Sequence, residues 1–394
     1  LWPFVHSDES WLAFLSRDMA VNGDFGVTES FFDAKARVPH ALRLLFHALQ
    51  ALFIRLFGFE IASVRLLSLL AGCLCLMLIF HIGRVLSGKV AGFLLMVLVS
   101  LDPSFLYASH FARQEILIAL PLLLCLFIFL RAAKEEASLT RRDICLMATL
   151  TGISVGIHPN SFLVAAMCGC VLLFFLLAKK IKWSSLLLYT SLTGLIAGIF
   201  VAVSFSFTST FLPDYFRQGA DEYQISSSPS GRFAEFLYYI QSTLNQESGT
   251  YYLPDLRLEF ALFAAAFSFL LLALLVLGKS NEEPVILWRR QAGILITALF
   301  GLTAGILMIG RFNQTSVMFY VLLGWLFVVL FLKLFEGRVP LLAMALISAF
   351  LLWNGYKEIS PWLTGPTYKD FLAQLSLYVP ADSVTLSNLN TAFY

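Results

Sequence analysis

The chain has 394 residues, of which 59% are hydrophobic and only 13% charged, and its formal net charge is +2. That charge fraction is about half of what a soluble domain carries, and 38 phenylalanines suit helices that face lipid, so a soluble globular protein is excluded. All six cysteines (Cys73, Cys75, Cys125, Cys145, Cys168 and Cys170) lie inside apolar runs without metal-ligand spacing, which argues against a disulfide framework or a zinc site. The expected class is an all-α polytopic membrane protein.

The chain opens at Leu1 with five residues that read as the tail of an apolar helix. His6-Ser7-Asp8-Glu9-Ser10-Trp11 follows, with two adjacent carboxylates. Trp11, Leu12, Leu15 and Met19 then recur at helical spacing, and Asn22-Gly23 predicts the end of that helix. Asp8 and Glu9 fall at its N-terminus, where the helix dipole favours negative charge, and Asp8 also fits a plain N-cap. Residues 6–40 are too polar to span. In 40–57, Arg43, His47, Gln50 and Ile54 share one face, which predicts a helix lying in the interface. Crossings are predicted at 61–84, 89–101 and 113–131, with 102–112 as a turn between the last two. The run 144–178 reads as two short helices broken at His158-Pro159-Asn160. Further crossings are expected at 184–207, 256–278, 292–310, 317–335 and 339–355, with 279–291 as a loop and an interface helix over 232–244. This divides the chain into a transmembrane domain, 1–355, with long outside loops at about 6–60 and 208–255, and the start of a truncated outside C-terminal domain, 356–394.

Charge gives the orientation. The short loops 84–89, 131–143, 179–182, 279–291 and 333–338 hold 14 of the 27 Lys and Arg, so they belong inside. Because the crossings alternate, Asp8, Glu9, Glu115, His158 and Arg311 then share the outer face. Asp8 and Glu9 suit a general base or a cation site, and Glu115 adds a carboxylate at a helix start. Arg65, Arg113 and Arg311 suit a phosphate, which arginine binds bidentately. His158 suits a phosphate or a hydroxyl. Arg65 and Arg113 serve equally as interface anchors, His158 as the cap of a broken helix and Arg311 as a topological flank. No glycine-rich phosphate loop is present, which argues against an ATP-driven transporter and against a nucleotide-sugar enzyme.

These stretches resemble a known family. His6 to Trp11, Ser16-Arg17-Asp18-Met19, Asn22-Gly23-Asp24, Pro39, Leu56-Phe57-Gly58-Phe59-Glu60, Ser63-Val64-Arg65-Leu66, Ala112-Arg113-Gln114-Glu115, Gly156-Ile157-His158-Pro159-Asn160, and Arg311 followed by Tyr320 are similar in order and spacing to the family 39-like glycosyltransferases of C-type fold. That group holds protein O-mannosyltransferases and lipid A aminoarabinose transferases. The chain departs from the group in having one proline, in Arg37-Val38-Pro39-His40, where members often carry two. The resemblance implies a C-type glycosyltransferase fold with interface helices in outside loops. It implies an integral-membrane inverting transferase with a polyprenyl-phosphate-linked sugar as donor and a protein, lipid or glycan as acceptor. Asp8, Glu9 and Glu115 would be catalytic, and Arg65, Arg113, His158, Arg311 and Tyr320 would face the donor phosphate. A divalent cation, if used, would sit at Asp8 and Glu115; no other cofactor is implied. The expected setting is a bacterial cytoplasmic membrane with the site facing outward, among membrane lipids and without nucleic acid. The rival readings are a transporter or flippase of lipid-linked sugars, which would place ionisable groups near the midplane, and a surface-glycan ligase or polymerase using a lipid diphosphate.

Overall fold

The computed structural model describes residues 5–28, 40–213, 226–247, 254–277, 280–309, 316–335 and 339–380. Its elements are helices throughout. Among the described residues, seven are long and apolar enough to cross a membrane, or eight if one bent pair is counted, so the chain is a multi-pass membrane protein.

Helix α1 (Ser7–Asn22) is capped by His6, whose Nδ1 accepts the Asp8 N–H at 3.1 Å; Asp8 therefore sits in the first turn and does not cap it. Gly23, with φ 72°, ends the helix as its spacing predicts. A 3-10 turn, Ala41–Arg43, leads into α2 (Leu44–Phe57), which Gly58 closes at φ 85°. The polar side of α2 faces inward: His47 and Gln50 are fully buried, whereas Leu52, Leu56 and Phe57 are exposed. That inversion fits a helix whose outer side meets lipid.

Helix α3 (Ile61–Ser87) and helix α4 (Lys89–Leu101) form a tight pair. A Cβ on Gly92 would lie 2.5 Å from the Phe80 carbonyl oxygen, so only glycine permits this approach. The expected turn over 102–112 is instead mostly helical: α5 (Pro103–His110) starts at an Asp-Pro step and bends 69° from α4. Asp102 caps it, accepting from Ser104 N at 2.9 Å and Phe105 N at 3.3 Å. Its other oxygen accepts the Trp325 indole N–H at 2.9 Å. Proline at the first helical position strengthens such a start.

Helix α6 (Glu115–Lys134) is the most buried of the candidate crossings and forms the post around which the others pack. Helix α7 (Arg141–Ser154) opens with a Thr140–Asp143 capping box. The predicted break at His158 is present: a 3-10 turn, Pro159–Ser161, precedes α8 (Phe162–Leu177). Helix α9 (Trp183–Phe207) is apolar and buries little of its surface, as suits a helix bordering lipid.

The second helix expected at the interface, α10 (Pro229–Leu244), starts about one turn earlier than the expected 232–244, because Ser228 caps it ahead of Pro229. Helix α11 (Arg257–Leu277) follows. Helix α12 (Glu283–Ile309) corrects the expected loop 279–291: the chain is already helical at Arg289 and Arg290, where Trp288 donates to the Leu330 carbonyl at 3.1 Å. Helix α13 (Val317–Leu332) is almost wholly buried. Helix α14 (Val339–Thr364) runs unbroken through residue 355, and α15 (Tyr368–Leu375) brings Tyr368 against Val5 and Ile61. The alternating stretch 383–394 lies outside the described residues. All six cysteines are free thiols.

Asp102 joins α5 to α13, and the prediction follows from its three donors. Asp102→Ala removes a helix cap and strands a buried indole N–H, so it should cost roughly 2–4 kcal/mol. Trp325→Phe, which leaves the cap in place, should cost less. Unfolding in detergent measures both, and equal losses would mean that the cap contributes nothing.

Candidate active site

The two neighbouring carboxylates of α1 point in different directions, since successive helical residues are about 100° apart. Glu9 turns inward and is fully buried. Its Oε1 accepts from Arg65 Nε at 2.6 Å and from the Ala112 backbone N–H at 2.9 Å, and its Oε2 accepts from Arg65 Nη2 at 2.7 Å. Three donors from α3 and from the bend before α6 thus converge on one carboxylate. The backbone donor exists because residues 111–114 are not helical, which frees the Ala112 N–H.

Asp8 turns the other way, with a side chain 37% exposed. Its Oδ2 accepts from Arg113 Nη1 at 2.5 Å. The same guanidinium donates to Glu115, from Nη2 to Oε1 at 3.1 Å and from Nε to Oε2 at 3.3 Å. Arg113 and Glu115 are 11% and 5% exposed. Asp8 and Glu115, 107 positions apart in the chain, therefore meet on the two sides of one arginine. Among the described residues no three His, Cys, Asp or Glu side chains converge as a metal-ligand set. The positive charge between Asp8 and Glu115 is the guanidinium of Arg113.

A buried polar network steadies α1 from beneath. The Ser16 hydroxyl lies 2.8 Å from His47 Nδ1 and donates to Gln50 Oε1 at 2.6 Å, and Gln50 Nε2 donates to the Val64 carbonyl at 3.1 Å. Burial first, then the nearby charges of Arg43 and His40, holds the His47 imidazole well below its ordinary 6.5. On the outer side of this layer Trp11 meets His40 edge-on at 5.2 Å, and the Arg43 guanidinium lies over the Trp11 ring.

The other expected residues occupy different places. Arg65 is turned onto Glu9. His158 caps the 3-10 turn, its Nδ1 accepting the Asn160 N–H at 3.0 Å. Beside it the Gly156 carbonyl accepts from Leu45 and Phe46, so the break in the 144–178 run caps the start of α2. The Tyr320 hydroxyl is 3.1 Å from Thr303 Oγ1, and its ring packs near Phe236 of α10. Arg311 lies outside the described residues. Just before that segment, Arg232 Nη1 donates to the Met308 carbonyl at 2.7 Å, tying α10 to the end of α12. Sequence reasoning missed Asp102, the Ser16–His47–Gln50 network and Gln114. The Gln114 side chain is 1% exposed, and neither its amide nitrogen nor its oxygen is hydrogen-bonded. Its place between Arg113 and Glu115 was the one available signal.

This helical bundle, with amphipathic helices laid over one end, also occurs in solved structures. Over 99% of its length the chain superposes on 80% of ArnT from Cupriavidus metallidurans bound to undecaprenyl phosphate, with TM-score 0.56 and 14% identity. The chain has the C-type glycosyltransferase fold. The archaeal oligosaccharyltransferase AglB from Archaeoglobus fulgidus, in complex with an inhibitory peptide and a dolichol-phosphate, shares that fold at TM-score 0.55 and 11% identity, over 95% of this chain and 54% of that one. Residues 40–206, which hold Arg65, Arg113, Glu115 and His158, match the profile of the family described as dolichyl-phosphate-mannose-protein mannosyltransferase. No curated protein sequence matches the chain. In this C-type fold α1 is held by two separable devices, one ionic and one neutral.

Each device has its own test. Glu9→Ala leaves Arg65 buried without its counter-charge and should cost about 3–5 kcal/mol, read as a lower unfolding temperature in detergent; an unchanged temperature would show that the pair is not built as described. His47 sets a pH dependence. In the unfolded chain it takes up a proton as pH falls below 6.5, while the folded, buried ring does not. Its contribution is therefore present above that pH and lost as pH falls further. The protection of α1 amides against hydrogen exchange, taken relative to the intrinsic exchange rate at each pH, should fall as pH drops from about 6.5 to 5, and His47→Gln should flatten that fall. An equal slope in both proteins would exclude His47 as its source.

Proposed function

We propose that the chain is an inverting glycosyltransferase that moves a sugar from a polyprenyl-phosphate donor to a nucleophile at the Asp8 end of the bundle, on the non-cytosolic face. The observation that carries this reading is the exposure of Asp8. Of the five charged side chains in the cluster, four are held almost wholly inside and Asp8 alone is open by more than a third. A carboxylate fixed by Arg113 and reachable from outside is suited to a general base. The resemblance of the fold to proteins solved with undecaprenyl phosphate and dolichol-phosphate supports a lipid phosphate as the leaving group.

In the proposed reaction Asp8 accepts the proton of the acceptor hydroxyl. The acceptor oxygen forms the new bond to the anomeric carbon from the face opposite the donor phosphate. The bond from that carbon to the phosphate oxygen breaks, and the lipid phosphate leaves with the electron pair. A phosphate is a good leaving group, so cations suffice to receive its charge and no strong general acid is needed. We assign that role to Arg311 and His158. Glu9 and Arg65 position α1, and Arg65 is not assigned to the phosphate because its guanidinium is committed to Glu9. Arg113 supplies the positive charge between Asp8 and Glu115, so the reaction is assigned no divalent cation. The outward orientation rests on the basic residues at the far end of α6 and on the neighbouring loops.

The reading is tested with a radiolabelled polyprenyl-phosphate sugar added to membranes. Covalent label on an acceptor is expected, with EDTA without effect. Asp8→Asn should lower the transfer by at least 100-fold while the unfolding temperature stays that of the parent. Full transfer by Asp8→Asn would remove Asp8 from the mechanism. Loss of transfer in EDTA would restore a cation. Movement of the labelled lipid without transfer would make the chain a carrier, and release of a lipid diphosphate would make it a ligase or polymerase.

A further inference from the structure

Helix α6 has two functional ends. Glu115 lies in the candidate site; the other end, 20 residues on and so about 30 Å away along the axis, borders a cavity of about 80 Å3. Its walls are apolar: Ala133 of α6 and Ala137 of the turn after it, Phe174 of α8 and Ala178 just past its end, and Ile294 of α12. Three charged side chains stand at its mouth, Glu136, Lys180 and Arg290, and Glu136 pairs with Arg290.

The backbone that presents these charges is unusual. Helices α6 and α8 end side by side in the same kind of turn. The Ala137 N–H reaches back to the Ala132 carbonyl at 3.1 Å, and the Lys180 N–H to the Phe175 carbonyl at 2.9 Å. Each turn places one residue in the left-handed region, Glu136 at φ 53° and Lys179 at φ 56°. Glycine is the usual occupant of that position because it alone adopts it without strain. Here both positions carry charged residues, and both turns adjoin the one cavity. Glycine at 136 would relax the backbone and release Arg290.

We propose that this cavity binds an anionic phospholipid, with the start of an acyl chain against the alanines and phenylalanines and the phosphodiester between Lys180 and Arg290. The mouth carries two cations and one carboxylate, an excess of one positive charge, which one phosphodiester neutralises. An apolar hollow between membrane helices meets any lipid; the charged mouth is what selects among headgroups. Glu136 holds the Arg290 guanidinium over the opening while the site is empty of lipid and competes with the phosphate for it, so the carboxylate tunes the selection.

The test uses the purified full chain exchanged into mixed phosphatidylglycerol and phosphatidylcholine with identical acyl chains, with retained lipid identified by native mass spectrometry. Phosphatidylglycerol should be retained over phosphatidylcholine by roughly tenfold or more, as two cations near one phosphate suggest. The double variant Lys180→Gln, Arg290→Gln should bring the two lipids to parity. Glu136→Gln should raise phosphatidylglycerol retention. Ala137→Leu, which fills the hollow from an exposed position and keeps both cations, should lose the bound lipid and serves if the double variant fails to fold. Parity in the parent chain, an unchanged preference in the double variant, a fall with Glu136→Gln, or full retention in Ala137→Leu would overturn the assignment. Displacement of phosphatidylglycerol by millimolar inorganic phosphate would show a free-anion site and overturn it as well.

Discussion

The ion pair between Glu9 and Arg65 is the contact on which the arrangement at this end of the molecule depends. Both charges are out of water, and burying them is expensive unless every oxygen finds a donor. That condition is met by two guanidinium nitrogens and one backbone N–H. A buried pair of this kind adds less to net stability than its short distances suggest, but it admits very few alternative geometries. Once Glu9 is anchored, the direction of Asp8 follows from helix geometry. One residue of an adjacent acidic pair is spent on position, and the other is left facing out.

The layer formed by α1 and α2 makes sense only beside a bilayer. Ser16, His47 and Gln50 are buried, while Leu52 and Leu56 on the opposite side of α2 and Phe57 at its end are exposed. In water this would leave an apolar patch of the sort that drives association. At a lipid interface the same exposed leucines and phenylalanine lower the energy, and the inward polar side chains satisfy one another. The interface helices are thus held from both sides, by lipid without and by hydrogen bonds within. The Gly156 carbonyl, freed by the break before His158, supplies an acceptor for the first turn of α2, so the broken crossing also fixes where the interface helix begins.

Local signals in the sequence were readable where the physics is local. Gly23 and Gly58 end helices because their φ values are positive, and His158-Pro159-Asn160 breaks a crossing because proline cannot continue it. The region 102–112 was misread because it is short and holds an Asp-Pro step, which marks a turn and a helix start alike. The region 283–291 was misread because Arg289 and Arg290 suggested a loop, whereas Trp288 and Gln291 on the same stretch are buried. The meeting of Asp8 and Glu115 was legible from topology, but which cation pairs with which carboxylate was not. Periodicity reports which way a residue faces, and it holds no information on whether Arg65 meets a carboxylate 56 positions earlier or a lipid phosphate. That is why Arg65 and Arg113 fitted an anchor and a site equally well, although the acidic members, Asp8 and Glu115, could be singled out by their cost in a membrane.

Helix α6 links these levels. It begins with Glu115 in its first turn and ends with Arg131 and Lys134 in its last, the arrangement that a helix dipole favours at each end. The same asymmetry orients the helix in a membrane, since basic residues stay on the side of synthesis. In the proposed orientation, the carboxylate that the dipole favours at its N-terminus is also the one that topology delivers to the opposite face, beside Asp8. Because α6 is packed on nearly all sides, tilting it would disturb most of the core, and Arg113 and Glu115 are held at a fixed depth. The proposed reaction needs that constancy more than it needs flexibility, because a lipid-borne phosphate would itself be confined to a thin layer at the membrane surface.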